Sequence, residues 1–389
     1  MLLTSMKYEI FWKNPGYQVR PELHGDIECD YLIVGGGITG VSAAYFLTQH
    51  GVKNIVLIEK RHIASGATGM AAGTLVLRGE TDLLDLFKTH SREEAILYWE
   101  GIHRGLNGIR KVIEKENIDC DAESQDTLYC GFKHKSIVDF RKEYEAEKRI
   151  ESTTKFLEGE ELKKELNTEL FTHGMLSSLH GLSVNPLKLT QNLSVALEKY
   201  GVNIYENTPF LGSVGTVAKT QYGKITYKKL VVAIDADDPT DEVRTQKTTV
   251  VVTRPLTKEE LIKTGLIRKK IVWDTKKNYD YFKVTKDNRL LFGFGIIIVH
   301  KKHRKTEPHI PHLKQIESFA KKLFPYLNLT FEYAWAGNFG VTKNYEPIIV
   351  WKDNMISISG AGSQVVCFMA AEQVVKKLLG KSASVDGYF

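Results

Sequence analysis

The chain has 389 residues, a formal charge of +6 at pH 7 and a hydrophobic fraction of 42%. That length can hold more than one hydrophobic core, so two domains are expected, and the composition is ordinary for a soluble globular enzyme. The charge excess is modest for this size and does not by itself argue for a nucleic-acid partner, so none is predicted.

Cysteine usage and the apolar runs exclude further classes of protein. The four cysteines, Cys29, Cys120, Cys130 and Cys367, lack metal-ligand spacing and are too few for a disulfide framework in a chain of this length. We therefore expect reduced thiols and a cytoplasmic protein without a bound metal. The longest apolar runs, such as 296–299, are too short to span a bilayer, and the N-terminus has no signal-peptide pattern, so no transmembrane segment is predicted.

The first 26 residues contain Trp12, Tyr17 and two prolines. We expect them to form an extended arm that lies on the domain ahead of the first strand. Their aromatic side chains are interpreted as packing anchors of this arm.

A strand–helix–strand unit is predicted for residues 29–60. An apolar run over 31–34 ends in Gly35-Gly36-Gly37, and the stretch 38–47 then places apolar residues at helical spacing. A second apolar run, 54–58, ends in Glu59. This order of strand, glycine turn, helix, strand and carboxylate is the pattern of a dinucleotide-binding βαβ unit.

Each residue of this motif has a physical role in the predicted unit. Gly35 allows the tight turn out of the strand, Gly37 lets the backbone approach a pyrophosphate, and Gly40 lets the helix pack closely on the sheet. The first N–H groups of the helix lie at its positive end and suit phosphate oxygens. Glu59 follows Gly40 by about 20 residues, the spacing of a carboxylate that accepts from a ribose hydroxyl.

The loop over 61–73 is dominated by small residues, including Ala67, Thr68 and Gly73. Small side chains let the backbone run close to a flat ligand and expose N–H groups to it. A plain flexible loop is the alternative, although such loops usually carry more Asn, Asp, Lys and Pro. We therefore predict a second cofactor contact here.

The middle of the chain mixes helices with strands and then becomes β-rich. Helices are predicted over 83–117, 136–149, 158–166 and from Pro186, and strands over 118–132 and 229–234. The region 248–299 has several β-type runs separated by polar clusters, which indicates an antiparallel sheet in a separate domain. The basic loop 300–312, with four histidines, is interpreted as a solvated loop rather than a metal site.

The end of the chain returns to a strand, a glycine turn and a helix. A helix is predicted over 313–323, a strand over 355–359, and a final helix that ends at Gly380. The turn between the last two elements contains Gly360, Ala361 and Gly362.

The motifs, taken in order, resemble one enzyme family over about residues 27–380. They are DYLIVGGGITGVSAAYFL, IASGATGMAAG, LSVNPLKL, WDT…YDYFKVT…RLLFGFG, a W-x-G…T…P run from Trp335 to Pro347, and SGAGSQ. The chain resembles the FAD-dependent oxidoreductases related to glycine oxidase, sarcosine oxidase, D-amino-acid oxidase and γ-glutamylputrescine oxidase.

The resemblance implies an α/β fold in which a Rossmann-like FAD-binding domain is interleaved with an α+β substrate domain. The FAD-binding domain would comprise 1–84, 151–241 and 332–389. The substrate domain would comprise 85–150 and 242–331, with a mixed or antiparallel sheet over the flavin. The motifs and the resemblance together predict these cofactor-binding residues: Gly35, Gly37, Ile38, Thr39, Gly40, Glu59, Lys60, Arg61, Ala67, Thr68, Gly73, Phe210, Ala233, Gly337, Gly360, Ala361, Gly362, Ser363 and Gln364.

The implied activity is oxidation of a C–N bond of a small-molecule amine, with a hydride passing to flavin N5. Reduced flavin would be reoxidised by oxygen or another acceptor. Relatives that attach FAD covalently use a cysteine near the run 338–342 or a histidine in the early loop. This chain has no cysteine in that run and Met70 at the histidine position, so noncovalent FAD is predicted.

Four departures from the family pattern concern the substrate. Phe339 stands where glycine-oxidase-like members place a carboxylate-clamping arginine, and Cys367 where sarcosine oxidases place a lysine. Val365 replaces a glycine of the late turn, and the strand-end segment 233–235 is Ala-Ile-Asp in place of Ala-Thr-Gly. Glycine, sarcosine and D-alanine are therefore expected to be poor substrates.

Three functions remain as alternatives: an FAD-dependent amine oxidoreductase, a flavin-binding protein with a partner-binding role and weak turnover, and an NAD(P)-dependent Rossmann enzyme. The first is favoured, and a homo-oligomer is compatible with it. Tyr281, Lys283 and Arg78 are the catalytic candidates. Tyr281 and Lys283 are two apart on a predicted strand, so they are expected to share the face toward the cavity while Phe282 points away.

Overall fold

The computed structural model describes residues 6–77, 81–132, 137–150, 153–237, 242–276, 278–299 and 306–381. The helices in these ranges are α1 Ile38–Gln49, α2 Ala67–Met70, α3 Leu83–Thr89, α4 Arg92–Lys115, α5 Ile137–Lys148, α6 Gly159–Glu165, α7 Pro186–Glu198, α8 Lys258–Thr264, α9 Ile310–Leu323 and α10 Gln364–Leu378. The strands are β1 Ile27–Val34, β2 Ile55–Ile58, β3 Thr74–Val76, β4 Glu123–Gly131, β5 Lys155–Glu158, β6 His173–Ser183, β7 Asn203–Tyr205, β8 Ser213–Val214, β9 Val217–Lys219, β10 Lys224–Val232, β11 Arg244–Pro255, β12 Lys270–Asp274, β13 Tyr281–Val284, β14 Arg289–Ile298, β15 Phe331–Val341, β16 Ile348–Lys352 and β17 Met355–Ser359.

The first sheet is built around the predicted βαβ unit. Its order is β16-β17-β10-β1-β2-β7, and the strands from β17 to β7 are parallel. Strand β16 closes one edge in the antiparallel sense, and β9 and β8 form a short antiparallel extension on β10. Parallel strands covered on both faces require continuous apolar runs, and β2 is buried along its whole length. Helices α1, α4, α7 and α10 cover one face.

The second sheet has the order β15-β11-β14-β13-β12-β4-β6-β3, with β5 paired to β6. Only β12 and β4 are a parallel pair among its described strands, so the sheet is mixed. One of its faces packs on α9, where Phe282 and Phe292 share a core with Phe319. The predicted fold class, a Rossmann-like parallel sheet combined with a mixed sheet, is confirmed.

Three helices differ from the prediction. Helix α2 forms within the loop predicted over 61–73, and the other two differences have a local cause. The predicted helix over 83–117 is interrupted at 90–91, where Ser91 and Glu94 form a capping box that starts α4. Helix α8 interrupts the β-rich region, and it too begins with a capping box, formed by Thr257 and Glu260. Such a box satisfies N–H groups that a helix start leaves without intrahelical partners. The Thr-x-x-Glu pattern was therefore the signal for α8.

The second sheet does not coincide with the predicted substrate domain. Strands β3, β5, β6 and β15 belong to the second sheet, although their residues lie in segments assigned to the FAD-binding domain. Strand β6 also extends the second sheet by a long strand that the sequence pattern did not predict. The boundaries at 84, 150, 241 and 331 stay a prediction.

The N-terminal arm packs on the edge strand β15 of the second sheet. Lys7 pairs with Tyr333 at the outer edge of the second sheet, and the indole of Trp12 is buried edge-to-face against that of Trp335, with ring centroids 6.3 Å apart. Trp12 is thus a packing anchor of the arm, as predicted, whereas Tyr8 is exposed. In the described part of the chain, no helix combines the length and the apolar character needed to cross a bilayer.

Candidate functional site

A cavity of about 1270 Å³ lies where the two sheets meet. One wall is formed by the residues that follow β1, β2 and β10, at the carboxyl ends of parallel strands, which is where open α/β sheets bind ligands. The opposite wall is the face of the second sheet that turns away from α9. The closing glycine turn and the start of α10 complete the lining.

The glycine turn after β1 makes a close approach that side chains would prevent. Gly35 has a φ of +111°, and a Cβ there would lie 2.2 Å from the carbonyl oxygen of Ala233. A Cβ on Gly40 would lie 2.0 Å from the carbonyl oxygen of Gly35. The start of α1 lines the cavity, and the Thr68 hydroxyl accepts a hydrogen bond from the Ile38 N–H at 3.0 Å. The turn is thus shaped to bring helix N–H groups close to an anionic ligand.

Glu59 is held at the end of β2 by backbone donors. Its carboxylate accepts from the N–H of Gly36 at 2.8 Å and from that of Arg61 at 2.9 Å, and it lines the cavity. The fully buried Glu206 was not predicted, and it accepts from the Ile63 N–H at 2.6 Å. The two carboxylates together fix the loop that starts at Glu59.

The loop from Met70 to Gly73 lines the cavity and is fastened from behind by three side chains. The indole N–H of Trp335 donates to the Met70 carbonyl at 2.7 Å, and that of Trp12 to the Ala71 carbonyl at 2.8 Å. The Lys283 Nζ donates to the Gly73 carbonyl at 2.6 Å. The three donors come from the arm, β13 and β15, so distant parts of the sequence position one loop.

This contact corrects the expectation for Lys283. Lys283 does share a face of β13 with Tyr281, but it is fully buried, lies 5.2 Å from the Trp12 ring and is not among the residues that line the cavity. Burial lowers the pKa of its ammonium to about 7. Lys283 is therefore a positioning residue for the loop at Gly73.

Tyr281 does line the cavity, and its position depends on a glycine of the next strand. A Cβ on Gly293 would lie 1.9 Å from the Tyr281 Cζ, so the ring lies over bare backbone. Tyr129, Trp273 and Tyr281 stand in register on β4, β12 and β13. The Tyr129 and Trp273 rings are stacked, with centroids 5.7 Å apart. These three residues, with Tyr279, form what we call the aromatic wall.

Carboxylates accompany the aromatic wall. Asp82 accepts from the Tyr129 hydroxyl at 3.4 Å, and Asp82, Asp85 and Asp274 line the cavity. Lys276 also lines it, but its ammonium pairs with Asp274 at 3.2 Å and with Asp280. Burial raises the pKa of Asp280 to about 6 and raises that of Asp274 as well.

The glycine turn before α10 and its surroundings accommodate the residues that depart from the family pattern. Gly360 and Gly362 have φ values of +70° and +66°, which favour glycine. Val365 does not line the cavity; it is buried where a Cβ on Gly105 of α4 would lie 3.1 Å from its Cγ1. Asp235, in the left-handed region at φ +49°, accepts from the Gly340 N–H at 3.0 Å. Cys367 lines the cavity, and burial raises the pKa of its thiol to about 12.

Most of the predicted cofactor residues line this cavity. Those that do are Gly35, Gly37, Ile38, Thr39, Glu59, Lys60, Arg61, Ala67, Thr68, Gly73, Phe210, Ala233, Gly337, Gly362, Ser363 and Gln364. Gly40, Gly360 and Ala361 lie behind the lining. Arg78 and the histidines at 300 and 303 lie outside the described residues. The sequence did not single out Tyr129, Trp273, Gln246 or Tyr345 as site residues, because only the pairing of distant strands brings them to the cavity.

Comparisons with known proteins agree with this geometry. The sequence model of the DAO family, described as FAD dependent oxidoreductase, matches residues 30–372. The γ-glutamylputrescine oxidoreductase of Escherichia coli strain K12 is 27% identical over 380 residues, which cover 94% of this chain and 87% of that protein. L-proline dehydrogenase from P. horikoshii has a similar fold, with a TM-score of 0.78, 20% identity and coverage of 95% and 97% of the two chains. Glycine oxidase from Geobacillus kaustophilus gives a TM-score of 0.77, 19% identity and coverage of 92% and 96%.

The residues present fit FAD. The glycine turn approaches the strand end at Ala233 more closely than a Cβ on Gly35 would allow, and this brings the α1 N-terminus to the cavity. The small-residue loop and the Glu59 carboxylate line the same part of the cavity, as a dinucleotide requires. The lining continues from this region to the aromatic wall, so the cavity extends beyond the glycine turn and the loop after Glu59.

Proposed function

Because this chain belongs to the DAO family of FAD-dependent oxidoreductases, we propose that it oxidises a C–N bond of a small-molecule amine. The observation that carries the proposal is the charge of the cavity beside the aromatic wall. Asp82, Asp85 and Asp274 line it there. With Asp280 they make four carboxylates against two ammonium groups, that of Lys276, which pairs with Asp274 and Asp280, and that of Lys88, which pairs with Asp85. An ammonium ion is attracted by such carboxylates and by the faces of aromatic rings.

The same lining disfavours a carboxylate-bearing substrate. Phe339 lines the cavity at the position where the resemblance implies an arginine clamp. A carboxylate that loses its water without gaining a cationic partner is destabilised by several kcal/mol. The name of the E. coli relative, a γ-glutamylputrescine oxidoreductase, supports an amine as the group that is oxidised.

Different residues of the cavity would accept the proton and orient the substrate in the proposed reaction. FAD, held by the glycine turn, the start of α1 and Glu59, would supply the oxidant for a hydride from the carbon next to the amine nitrogen. The nitrogen lone pair forms the C=N bond as that hydride leaves, so the ammonium must first lose a proton. Asp274 is suited to accept it, because burial raises the pKa of its carboxyl. The rings of Tyr281 and Trp273 orient the substrate chain and exclude water from it.

The start of α10 favours the accumulation of negative charge in the cavity. Ser363 and Gln364 line the cavity at the positive end of this 15-residue helix. Oxygen or another acceptor would then reoxidise the reduced flavin.

A cytoplasmic location is proposed as well, and the four free thiols support it.

The structure weakens the main support for a flavin protein without turnover. That alternative rested on the altered late turn, but Val365 packs against α4 and does not line the cavity. An NAD(P)-dependent enzyme is disfavoured because the family model is that of FAD enzymes.

Anaerobic bleaching of the flavin tests the proposal. The FAD-loaded protein is mixed with a panel of primary amines, diamines, amino acids and hydroxy acids. We expect amines without an α-carboxylate to bleach the flavin, and glycine, sarcosine and D-alanine to do so poorly. Efficient bleaching by those three amino acids, or by hydroxy acids alone, would contradict the proposed substrate class. The absence of bleaching by every amine would favour the flavin-binding alternative.

A further inference from the structure

One buried amide of the cavity has an acceptor without a partner. Gln246 lies on β11, is 8% exposed and lines the cavity. Its Nε2 donates to the Tyr345 hydroxyl at 3.3 Å, whereas its Oε1 has no hydrogen-bond partner in the described structure. A buried polar atom left in this state costs free energy, so the Oε1 is an acceptor that a ligand in the cavity would satisfy.

The surroundings of Gln246 specify what kind of group the ligand must present. Phe339 lies directly opposite Gln246 in the register of β11 and β15, and both line the cavity. The nearby Asp235 is an acid that already accepts from the Gly340 N–H. The amide oxygen and the carboxylate repel an anion, the phenyl ring offers it no donor, and the amide oxygen can only accept.

We propose that Gln246 recognises the substrate, with its Oε1 accepting a hydrogen bond from a substrate N–H group. The Nε2 is engaged by the Tyr345 hydroxyl, which leaves the Oε1 as the amide atom available to a ligand. The position that faces Phe339 then selects for an N–H donor in place of a carboxylate. The inference rests on the proposed function for the identity of that donor as an amine.

The test compares amine affinities of Gln246 variants. FAD-loaded protein is titrated anaerobically with 1,4-diaminobutane, whose second nitrogen is available to donate to Gln246. The apparent Kd is taken from the saturation of the bleaching rate or from the shift of the flavin absorbance. Gln246→Leu should raise this Kd roughly ten- to a hundredfold, the usual effect of one hydrogen bond to a charged group. Gln246→Glu keeps an acceptor and should restore an affinity near that of the unchanged protein.

Gln373→Leu is the matched control. Gln373 is a glutamine of similar burial, 6% exposed, that lies on α10 away from the cavity lining. Its replacement should alter stability and leave the amine Kd unchanged. FAD content and melting temperature are recorded for every variant, so a folding defect is recognised as such.

Two results would overturn the role of Gln246. One is an unchanged amine Kd in Gln246→Leu. The other is a loss of FAD affinity in that variant with an unchanged amine Kd in the remaining holoprotein, which would assign the amide to the cofactor. These results differ from failure of the proposed oxidation, in which amines would shift the flavin absorbance of the unchanged protein but would not bleach it.

Discussion

At the scale of single residues, Glu59 joins the glycine turn to the cofactor-binding loop. Its carboxylate accepts from the N–H groups of Gly36 and Arg61. Glu59→Ala removes these contacts together with the predicted ribose acceptor, so the Kd for FAD should rise roughly ten- to a hundredfold. Titration of the apoprotein with FAD, followed by flavin fluorescence, measures this. Glu28→Ala, at an exposed position of β1, is the control. An unchanged Kd would show that Glu59 does not hold the cofactor.

Lys283 makes stability depend on pH in a direction that can be stated in advance. Burial lowers the pKa of its ammonium to about 7 in the folded protein, against about 10.4 in an unfolded chain. Between these values the unfolded state binds one more proton, so this group makes the free energy of unfolding rise with pH from about 7 to about 10. Below pH 7 both states are protonated and the slope disappears.

The variant Lys283→Met should lack this rise. Urea unfolding of both proteins across pH 6–10 gives the difference in their unfolding free energies, which should shift in favour of the unchanged protein as the pH increases. Lys270→Met, at a buried lysine that pairs with Glu165 at 3.1 Å, controls for the loss of a buried lysine. Parallel curves for the unchanged protein and Lys283→Met would contradict the lowered pKa.

Gly293 matters because of the ring that lies over it. Gly293→Ala introduces a Cβ into space that Tyr281 occupies, so the ring must move. We expect flavin reduction by an amine to slow at least several-fold while FAD content holds, and Tyr281→Phe to slow it less because the ring stays in place. Stopped-flow absorbance measures both rates. Gly16→Ala, where a Cβ would meet open space, is the control. A wild-type rate in Gly293→Ala would remove Tyr281 from the orienting role.

At the scale of secondary-structure elements, the start of α10 shows how the fold accommodates a valine where the family pattern has a glycine. Val365 is buried against Gly105 of α4. Val365→Gly loses that packing and adds a glycine to a helix, so it should lower the free energy of unfolding by about 2–3 kcal/mol. The rate of flavin reduction should not change. Urea unfolding and stopped-flow reduction measure the two quantities, and a large gain in rate would show that the valine impairs the turn.

Elements whose signals are local in the sequence were predictable, whereas features formed by distant strands were not. The βαβ unit around Gly35 was predictable, because strand, turn and helix signals there lie within about 30 residues of one another. The aromatic wall was not, because Tyr129 and Trp273 meet through the pairing of β4 with β12. Lys283 was placed on the correct face, but its burial depends on the loop at Gly73. The unpartnered Oε1 of Gln246 could not be predicted, because it depends on which distant residues pack around the amide.

At the scale of the whole molecule, the cofactor should be held without a covalent bond. Met70 stands at the position where a histidine would attach FAD, and its carbonyl is used by Trp335. Acid or heat should therefore release all the flavin as FAD, and removal of FAD should lower the melting temperature, because a ligand stabilises the state that it binds. Absorbance of the supernatant and pellet after precipitation measures release. Flavin that remains in the pellet would falsify noncovalent binding.

The attachment of the loop at Ala71 has a consequence for the N-terminal arm. Trp12 binds the Ala71 carbonyl but does not itself line the cavity. If FAD prefers the loop in its fastened state, docking of the arm and binding of FAD are thermodynamically linked, and each must strengthen the other by the same factor. The arm then behaves as an intramolecular effector of the cofactor site, and binding of FAD lowers the fraction of molecules in which the arm is detached.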